Sequence, residues 1–294
     1  MIDLEGIKAF IAVAETHSFS VAAERLHLTQ PAVSKRIALL ENQMQVRLFD
    51  RIGRTVTLTE AGRELEPRAK LIFSSIEDTH RAISNLNGAV TGPLALATSH
   101  HVGLWRLPNI LRRYTALYPE VNLDLRFMDS EVAHEQIVQG NLELGIITLA
   151  PTPHDRLTAT RLWRDELKFV CAPDHPLGKS TEITLAALSQ FPAILPDMST
   201  FTGRIVKQLF EKEQLSLNVS MSTNYLETIK MLIGVGLGWS VLPKSMLDSS
   251  LHMLDIDSVN IHRDLGVIHH VQRTLSNAAS AFLDLLVHRQ SNQP

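Results

Sequence analysis

Ser20-Val-Ala-Ala-Glu-Arg-Leu-His-Leu-Thr-Gln-Pro-Ala-Val-Ser-Lys-Arg-Ile-Ala-Leu-Leu-Glu41 reads as two short helices joined by a tight turn. Val21, Ala22, Ala23 and Leu26 form a small-residue packing face on the first helix, and Ser20 is placed to act as its N-cap. The turn is His27-Leu28, and Thr29 is placed to cap the second helix. Pro31 falls in the first turn of that helix, where a missing N–H costs nothing because the position has no intrahelical acceptor. Val33, Ile37 and Leu40 recur at i, i+4 and i+7 and face inward, so Gln30, Pro31, Ser34 and Lys35 stand on the opposite, N-terminal side. In a helix-turn-helix these positions enter the major groove. Gln pairs with adenine, Lys favours guanine, and Ser donates to a base or a phosphate. Arg36 is expected on the DNA backbone.

Val46 to Leu58 holds two short alternating runs around Ile52-Gly53-Arg54, a hairpin signature that places Arg51 and Arg54 at or beside the tip of a wing. Guanidinium groups there reach a minor groove or flanking phosphates. The whole chain of 294 residues carries a net charge of −3, so bulk electrostatics supply no attraction to nucleic acid. Between Arg25 and Arg54, six basic residues (Arg25, Lys35, Arg36, Arg47, Arg51, Arg54) face two acids (Glu41, Asp50), a local +4. Positive charge is concentrated where the motif needs it.

Phe10 and Ala14, Ser18-Phe19-Ser20, Ala22-Ala23, Leu28 to Ser34, Leu40-Glu41, Leu48 to Arg51 and Leu58 to Gly62 all fall in one register over about sixty positions. In that register the chain resembles the LysR-type transcriptional regulators. The resemblance implies an N-terminal winged helix-turn-helix, a long linker helix and a two-lobed α/β effector domain of the type 2 periplasmic-binding-protein-like kind. It implies a cytoplasmic regulator, not an enzyme, with double-stranded operator DNA and a small-molecule effector as partners. It implies a homodimer, further pairing into a homotetramer, and RNA polymerase as another partner. No cofactor, metal or membrane is expected.

The rest of the chain bears on this independently. Past Thr59, a candidate N-cap, Leu65, Ala69, Ile72, Ile76, Thr79, Ile83 and Leu86 are spaced by four and three, a heptad seam that calls for a partner helix. Pro67 removes one backbone bond inside it and is expected to kink it. Asn87-Gly88 and Thr91-Gly92-Pro93 mark a boundary near residue 90. The expected organisation is a DNA-binding domain over residues 1–59, a linker and dimerisation helix over 60–90, and an effector-binding domain over 91–294. From Leu94 onward short apolar runs alternate with helical periodicities, among them a face traced by Leu104, Leu107, Leu111, Tyr114 and Leu117. The resemblance divides this region into one lobe of about 91–162 and 266–294 and another of about 163–265.

Several chemistries are disfavoured. Gly234 to Pro243 is glycine-rich, but Trp at 239 breaks GxGxxG and the segment leads from helix into strand. Neither His100-His101 nor His269-His270 has a Cys, Asp or Glu at ligand spacing. Cys171, the only cysteine, excludes an internal disulfide and sits in a strand-like run as a small buried hydrophobe. No nucleophile–base pair or phosphate loop can be named.

By resemblance, the effector lies between the lobes against helix N-termini that follow strands. The matching positions are Ser99, His100 and His101 after the first strand, Thr148 at a later strand end, Met198, Ser199, Thr200 and Phe201 leading into a second-lobe helix, and Thr223 and Asn224 before the next. Hydroxyls, amides and helix N–H groups favour an anion such as a small organic acid. The paired histidines suit a carboxylate that binds better towards pH 6, when an imidazole is protonated.

Overall fold

The computed structural model describes residues 3–52, 55–180, 183–257 and 259–288. The chain divides into two compact units between Ile83 and Ser84.

The first unit holds α1 (Leu4–Thr16), α2 (Phe19–Arg25), α3 (Gln30–Met44), a hairpin of β1 (Phe49–Ile52) and β2 (Thr55–Leu58), and most of α4 (Glu60–Asn85). Phe10, Phe19, Val33, Ile37, Leu40, Leu48 and Phe49 form its core. Two caps differ from expectation. Ser18, not Ser20, caps α2, its hydroxyl accepting from Val21 N at 3.4 Å. Thr29 occupies the N-cap position of α3 in extended conformation, but its hydroxyl makes no capping bond. The turn between them depends on His27, whose φ is +53°. Phe49 pairs with Leu58 and Ile52 with Thr55 in antiparallel register, the hairpin that the sequence indicates. Glu41 Oε1 accepts from Leu48 N at 2.7 Å and Phe49 N at 3.3 Å, which ties α3 to the start of the hairpin. Thr59 caps α4 by accepting from Gly62 N at 3.0 Å and donates to Arg47 O at 2.7 Å.

Helix α4 continues through Pro67. The apolar seam divides along its length. Leu65 and Ala69 are buried in the first unit's own core, whereas Ile72 and Ile83 are exposed and Leu86 falls just past the end of the helix.

The second unit holds β3 (Gly92–Thr98), α5 (His100–Trp105), α6 (Pro108–Leu117), β4 (Val121–Phe127), α7 (Ser130–Val138), β5 (Leu144–Thr148), β6 (Leu157–Cys171), α8 (Leu185–Ser189), β7 (Ala193–Leu195), α9 (Phe201–Lys212), β8 (Val219–Ser222), α10 (Leu226–Gly234), β9 (Trp239–Pro243), β10 (His252–Leu254), β11 (Ile261–His270) and α11 (Asn277–His288). The helical face read from Leu104 to Leu117 is two helices, because Pro108 opens α6 at a position where its ring fits. Leu107 and Tyr114 are buried, while Leu104 and Leu117 are exposed.

The strands follow the order β4-β3-β5-β11-β6-β9-β7-β8, with β10 also on β6. The first lobe packs Leu94, Leu96, Ile146 and Val267 under α6 and α11, with Tyr114 and Phe282 edge to face. The second lobe packs Phe169, Cys171, Val206 and Val241 around Phe210 and Trp239, whose rings stack at 5.7 Å. Strands β6 and β11 run antiparallel through both lobes, with a register shift at Leu265/Gly266. Their polar N-terminal and C-terminal portions hid this length from a reading by apolar runs. Asn85, at the end of α4, belongs with the second unit: its amide donates to Leu275 O at 2.8 Å and its Oδ1 accepts from Asn277 N at 2.9 Å.

Candidate functional site

Two sites follow from this architecture. On α3, Gln30, Pro31 and Lys35 are exposed and Ser34 is half-buried, all on the face opposite Val33, Ile37 and Leu40. Gln30 Nε2 donates to Ser34 Oγ at 2.8 Å, one turn apart, so the two polar tips form one hydrogen-bonded surface. Arg36 is held back: its guanidinium pairs with Glu5 in the first turn of α1 at 2.7 Å. Arg54 and the side chain of Arg51 lie outside the described residues.

The second site is a cleft between the lobes of the second unit, with an open space of about 50 Å³, room for a few waters. Ser99, His100, His101, Thr148, Thr200 and Asn224 line it, as the sequence reading places them. Met198, Ser199, Phe201 and Thr223 do not. Met198 packs towards the second-lobe core, and Ser199 is turned onto Asp197, its N–H and hydroxyl both donating to Oδ1 at 2.8 and 2.6 Å. The Phe201 ring is buried against His134 and under Arg204, and only its N–H faces the cleft wall. Thr223 accepts from Tyr225 N at 3.4 Å.

Thr200 caps α9, accepting from Gly203 N at 3.0 Å and donating to Asp197 O at 2.6 Å. Ser99 makes no capping bond to α5. The hydroxyl of Ser130 accepts from Thr148 N at 3.1 Å, which fixes α7 to the end of β5.

The sequence reading missed Asp129, Glu131, Thr202 and Arg263, all of which line the cleft. Arg263 on β11 is directly opposite Asp165 on β6. Its Nε donates to Asp165 Oδ2 at 2.9 Å and its Nη1 to Thr202 Oγ1 at 3.1 Å, so one guanidinium joins the crossing strands to α9. Arg106 adds a second contact to Asp165 at 3.3 Å. These residues do carry a sequence signal: Asp129-Ser130-Glu131 opens a helix after a strand, as Ser99-His100-His101 does.

Across the cleft, Glu131 Oε1 accepts from Phe201 N at the first turn of α9, and Asp129 Oδ2 accepts from Asn224 Nδ2 at 2.7 Å. Trp105 Nε1 donates to Glu227 Oε1 at 3.0 Å, and the His100 ring meets Tyr225 edge to face. Burial pushes the Glu131 carboxyl up, and Asp129 adds to this, while the Phe201 amide opposes it. His101 departs from expectation. Burial, reinforced by Arg263, lowers its pKa to about 4, so the ring is neutral at pH 6 despite Asp165 at 3.7 Å. Cys171 is buried, and burial raises its thiol to about 11, far from thiolate chemistry. Among the described residues no three His, Cys, Asp or Glu side chains assemble to hold a metal, and no helix is long and apolar enough to cross a membrane.

A winged helix-turn-helix followed by a two-lobed α/β domain closed around a polar cleft defines the class. Residues 4–63 match the family described as bacterial regulatory helix-turn-helix protein, lysR family, and residues 87–291 match the LysR substrate binding domain. The chain belongs to the LysR family of transcriptional regulators. It is 30 % identical to the HTH-type transcriptional activator CmpR of Synechocystis sp. (strain ATCC 27184 / PCC 6803 / Kazusa) over 96 % of this chain and 94 % of that one. Over 107 residues, 36 % of this chain and 74 % of the relative, it is 72 % identical to an uncharacterized HTH-type transcriptional regulator in the ibpB-leuC intergenic region of Azotobacter vinelandii. Its fold is similar to that of a full-length OxyR variant from Pseudomonas aeruginosa, with a TM-score of 0.68 at 20 % identity, covering 100 % of this chain and 99 % of that one. It is likewise similar to full-length CbnR complexed with target DNA, at a TM-score of 0.63 and 20 % identity over 98 % and 99 % of the two chains.

Proposed function

We propose that this LysR-type regulator reads an operator through α3 and answers to a small organic acid held in the interlobe cleft. Gln30, Pro31, Ser34 and Lys35 enter the major groove, while Arg36, Arg51 and Arg54 serve the flanking phosphates and minor groove. The pairing of Arg36 with Glu5 makes its contribution one of orientation as much as contact. The exposed Ile72 and Ile83 on α4 support a homodimer through that helix, with further pairing to a tetramer. The working organisation is residues 1–59 for DNA, 60–90 for the linker and 91–294 for the effector. The chain acts in the cytoplasm as a regulator without enzymatic activity, with RNA polymerase as a further partner.

The observation that carries the effector reading is the Glu131 carboxylate seated on the Phe201 N–H. The N-terminus of α9 is already used as an anion site, which the helix dipole and unpaired amides favour. Ser99, His101, Thr148, Thr200 and Asn224 surround that anchor. The test joins both sites: a mobility shift on DNA upstream of the chain's own gene, with and without candidate acids. Thr200→Ala is expected to keep operator binding and lose the response to the acid. An effector response unchanged in that variant moves the pocket elsewhere, and absence of a saturable, sequence-dependent band rejects the operator reading.

A further inference from the structure

Glu131 occupies the place that an effector carboxylate would take. It stands in the first turn of α7 and reaches across the cleft to the first amide of α9, while Asp129 at the N-cap of α7 reaches to Asn224. The first lobe therefore meets the second through two carboxylates two residues apart. Neighbouring cations are engaged elsewhere. Arg263 and Arg106 lie on Asp165, and Arg204 donates to Ser199 O at 2.8 Å while covering the Phe201 ring.

Two further groups in the same wall have donors or acceptors to spare. His101 is only 4 % exposed and, among the described residues, neither of its ring nitrogens has a hydrogen-bond partner. Arg263 Nη2 lies 2.9 Å from Asp165 Oδ2, yet outside hydrogen-bonding alignment, and makes no hydrogen bond either. Unsatisfied polar atoms in so buried a place are costly unless a ligand completes them.

We propose that the effector is a zwitterion, an amino acid or a near analogue, whose carboxylate displaces Glu131 from the N-terminus of α9 and whose ammonium is taken up by Asp129 and the displaced Glu131. This rests on the interlobe cleft being the effector site. Charge decides the class. A plain carboxylate arriving at α9 evicts Glu131 and leaves three carboxylates close together in a poorly hydrated cleft, against which Arg263, already paired with Asp165, offers only its Nη2. A zwitterion brings its own compensating charge to the two carboxylates. An ammonium offers three donors, which match Asp129, Glu131 and the acceptor nitrogen of neutral His101. The cleft is small and bridged by its own side chains, so binding exchanges internal bonds for bonds to the ligand.

Calorimetry on the full-length protein tests this, using a panel of L-amino acids, each beside its 2-hydroxy acid and its decarboxylated amine. At least one amino acid is expected to bind, with its hydroxy acid and amine weaker by about tenfold or more. Asp129→Asn, which keeps an acceptor for Asn224, is expected to weaken the amino acid by about tenfold and to narrow its lead over the hydroxy acid. Glu131→Gln is a second isosteric variant in which the same narrowing is expected. A hydroxy acid that binds as tightly as its amino acid, or a panel in which no amino acid binds, overturns the proposal. If an amino acid binds with affinity unchanged in both Thr200→Ala and Asp129→Asn, the cleft itself is the wrong site, and the proposal falls with it.

Discussion

Arg263 and Asp165 face each other across β11 and β6, guanidinium Nε to carboxylate Oδ2 at 2.9 Å, both buried where the two strands pass between lobes. A buried pair of this kind is costly to split, because Asp165 then keeps only Arg106 at 3.3 Å and Arg263 keeps only the neutral Thr202 hydroxyl. Arg263→Leu or Asp165→Leu alone is expected to destabilise the second unit by about 3–5 kcal/mol. The double variant is expected to cost less than the two single losses together. Thermal or urea unfolding followed on that unit measures this, and additive losses would show that the pair is not coupled.

His101 gives the cleft a pH dependence opposite to that expected of a protonated imidazole. Its folded pKa of about 4 lies below the ordinary value of 6.5, so the unfolded chain takes up a proton first as pH falls. The stability associated with the neutral ring is complete above about pH 6.5 and is lost as pH falls towards 4, by up to about 3 kcal/mol. His101→Gln is expected to flatten the stability profile in this window. Effector affinity is not expected to tighten at pH 6 through this residue, and calorimetry at pH 6 and 7.5 checks it.

Gln30 and Ser34 are hydrogen-bonded to each other, so their substitutions are coupled. Gln30→Ala is expected to relax base preference at one operator position by about 1–3 kcal/mol, and adding Ser34→Ala to cost less than its single effect. Lys35→Ala is expected to change preference at a different base pair. Equal losses on all sequences for all three would place these side chains on phosphates instead.

The glycines of the Gly234 to Gly238 segment separate two mechanisms. Gly236 has φ +86° and open space around it, so Gly236→Ala is expected to cost about 1–2 kcal/mol of backbone strain alone. At Gly238, a Cβ would come within 2.2 Å of Pro192 O, and Gly238→Ala must push apart the entry to β9. It is expected to lower the unfolding temperature of the second unit clearly more than Gly236→Ala, and equal shifts would refute the steric account.

Ile72 and Ile83 are exposed on α4, so Ile72→Asp with Ile83→Asp is expected to leave the protomer folded. Charges placed in a helix–helix seam cost several kcal/mol when buried, by order of magnitude, and dissociate it. Sedimentation should then report a mass smaller than that of the unaltered protein, and an unchanged mass would exclude this helix as the interface.

The DNA-reading head was legible in the sequence because its information is local. The spacing of Val33, Ile37 and Leu40 sets which side of α3 is buried, and that alone puts Gln30 and Lys35 outside. Thr200 and Asn224 were legible for the same reason, as polar residues at strand-to-helix turns. The cleft's charges were not. Arg263 and Asp165 are separated by 98 positions and meet only because β6 and β11 pair in a particular register. Glu131 reads as an ordinary acid in a helix's first turn until the second lobe brings the Phe201 amide to it. His101, read as a titrating imidazole, becomes a neutral one once burial and a neighbouring guanidinium surround it. Sequence alone determined the class of protein and its head, through local periodicity and capping. Only the tertiary structure decided the electrostatics of the interlobe cleft, because burial and charge pairing depend on residues that the chain brings together from far apart.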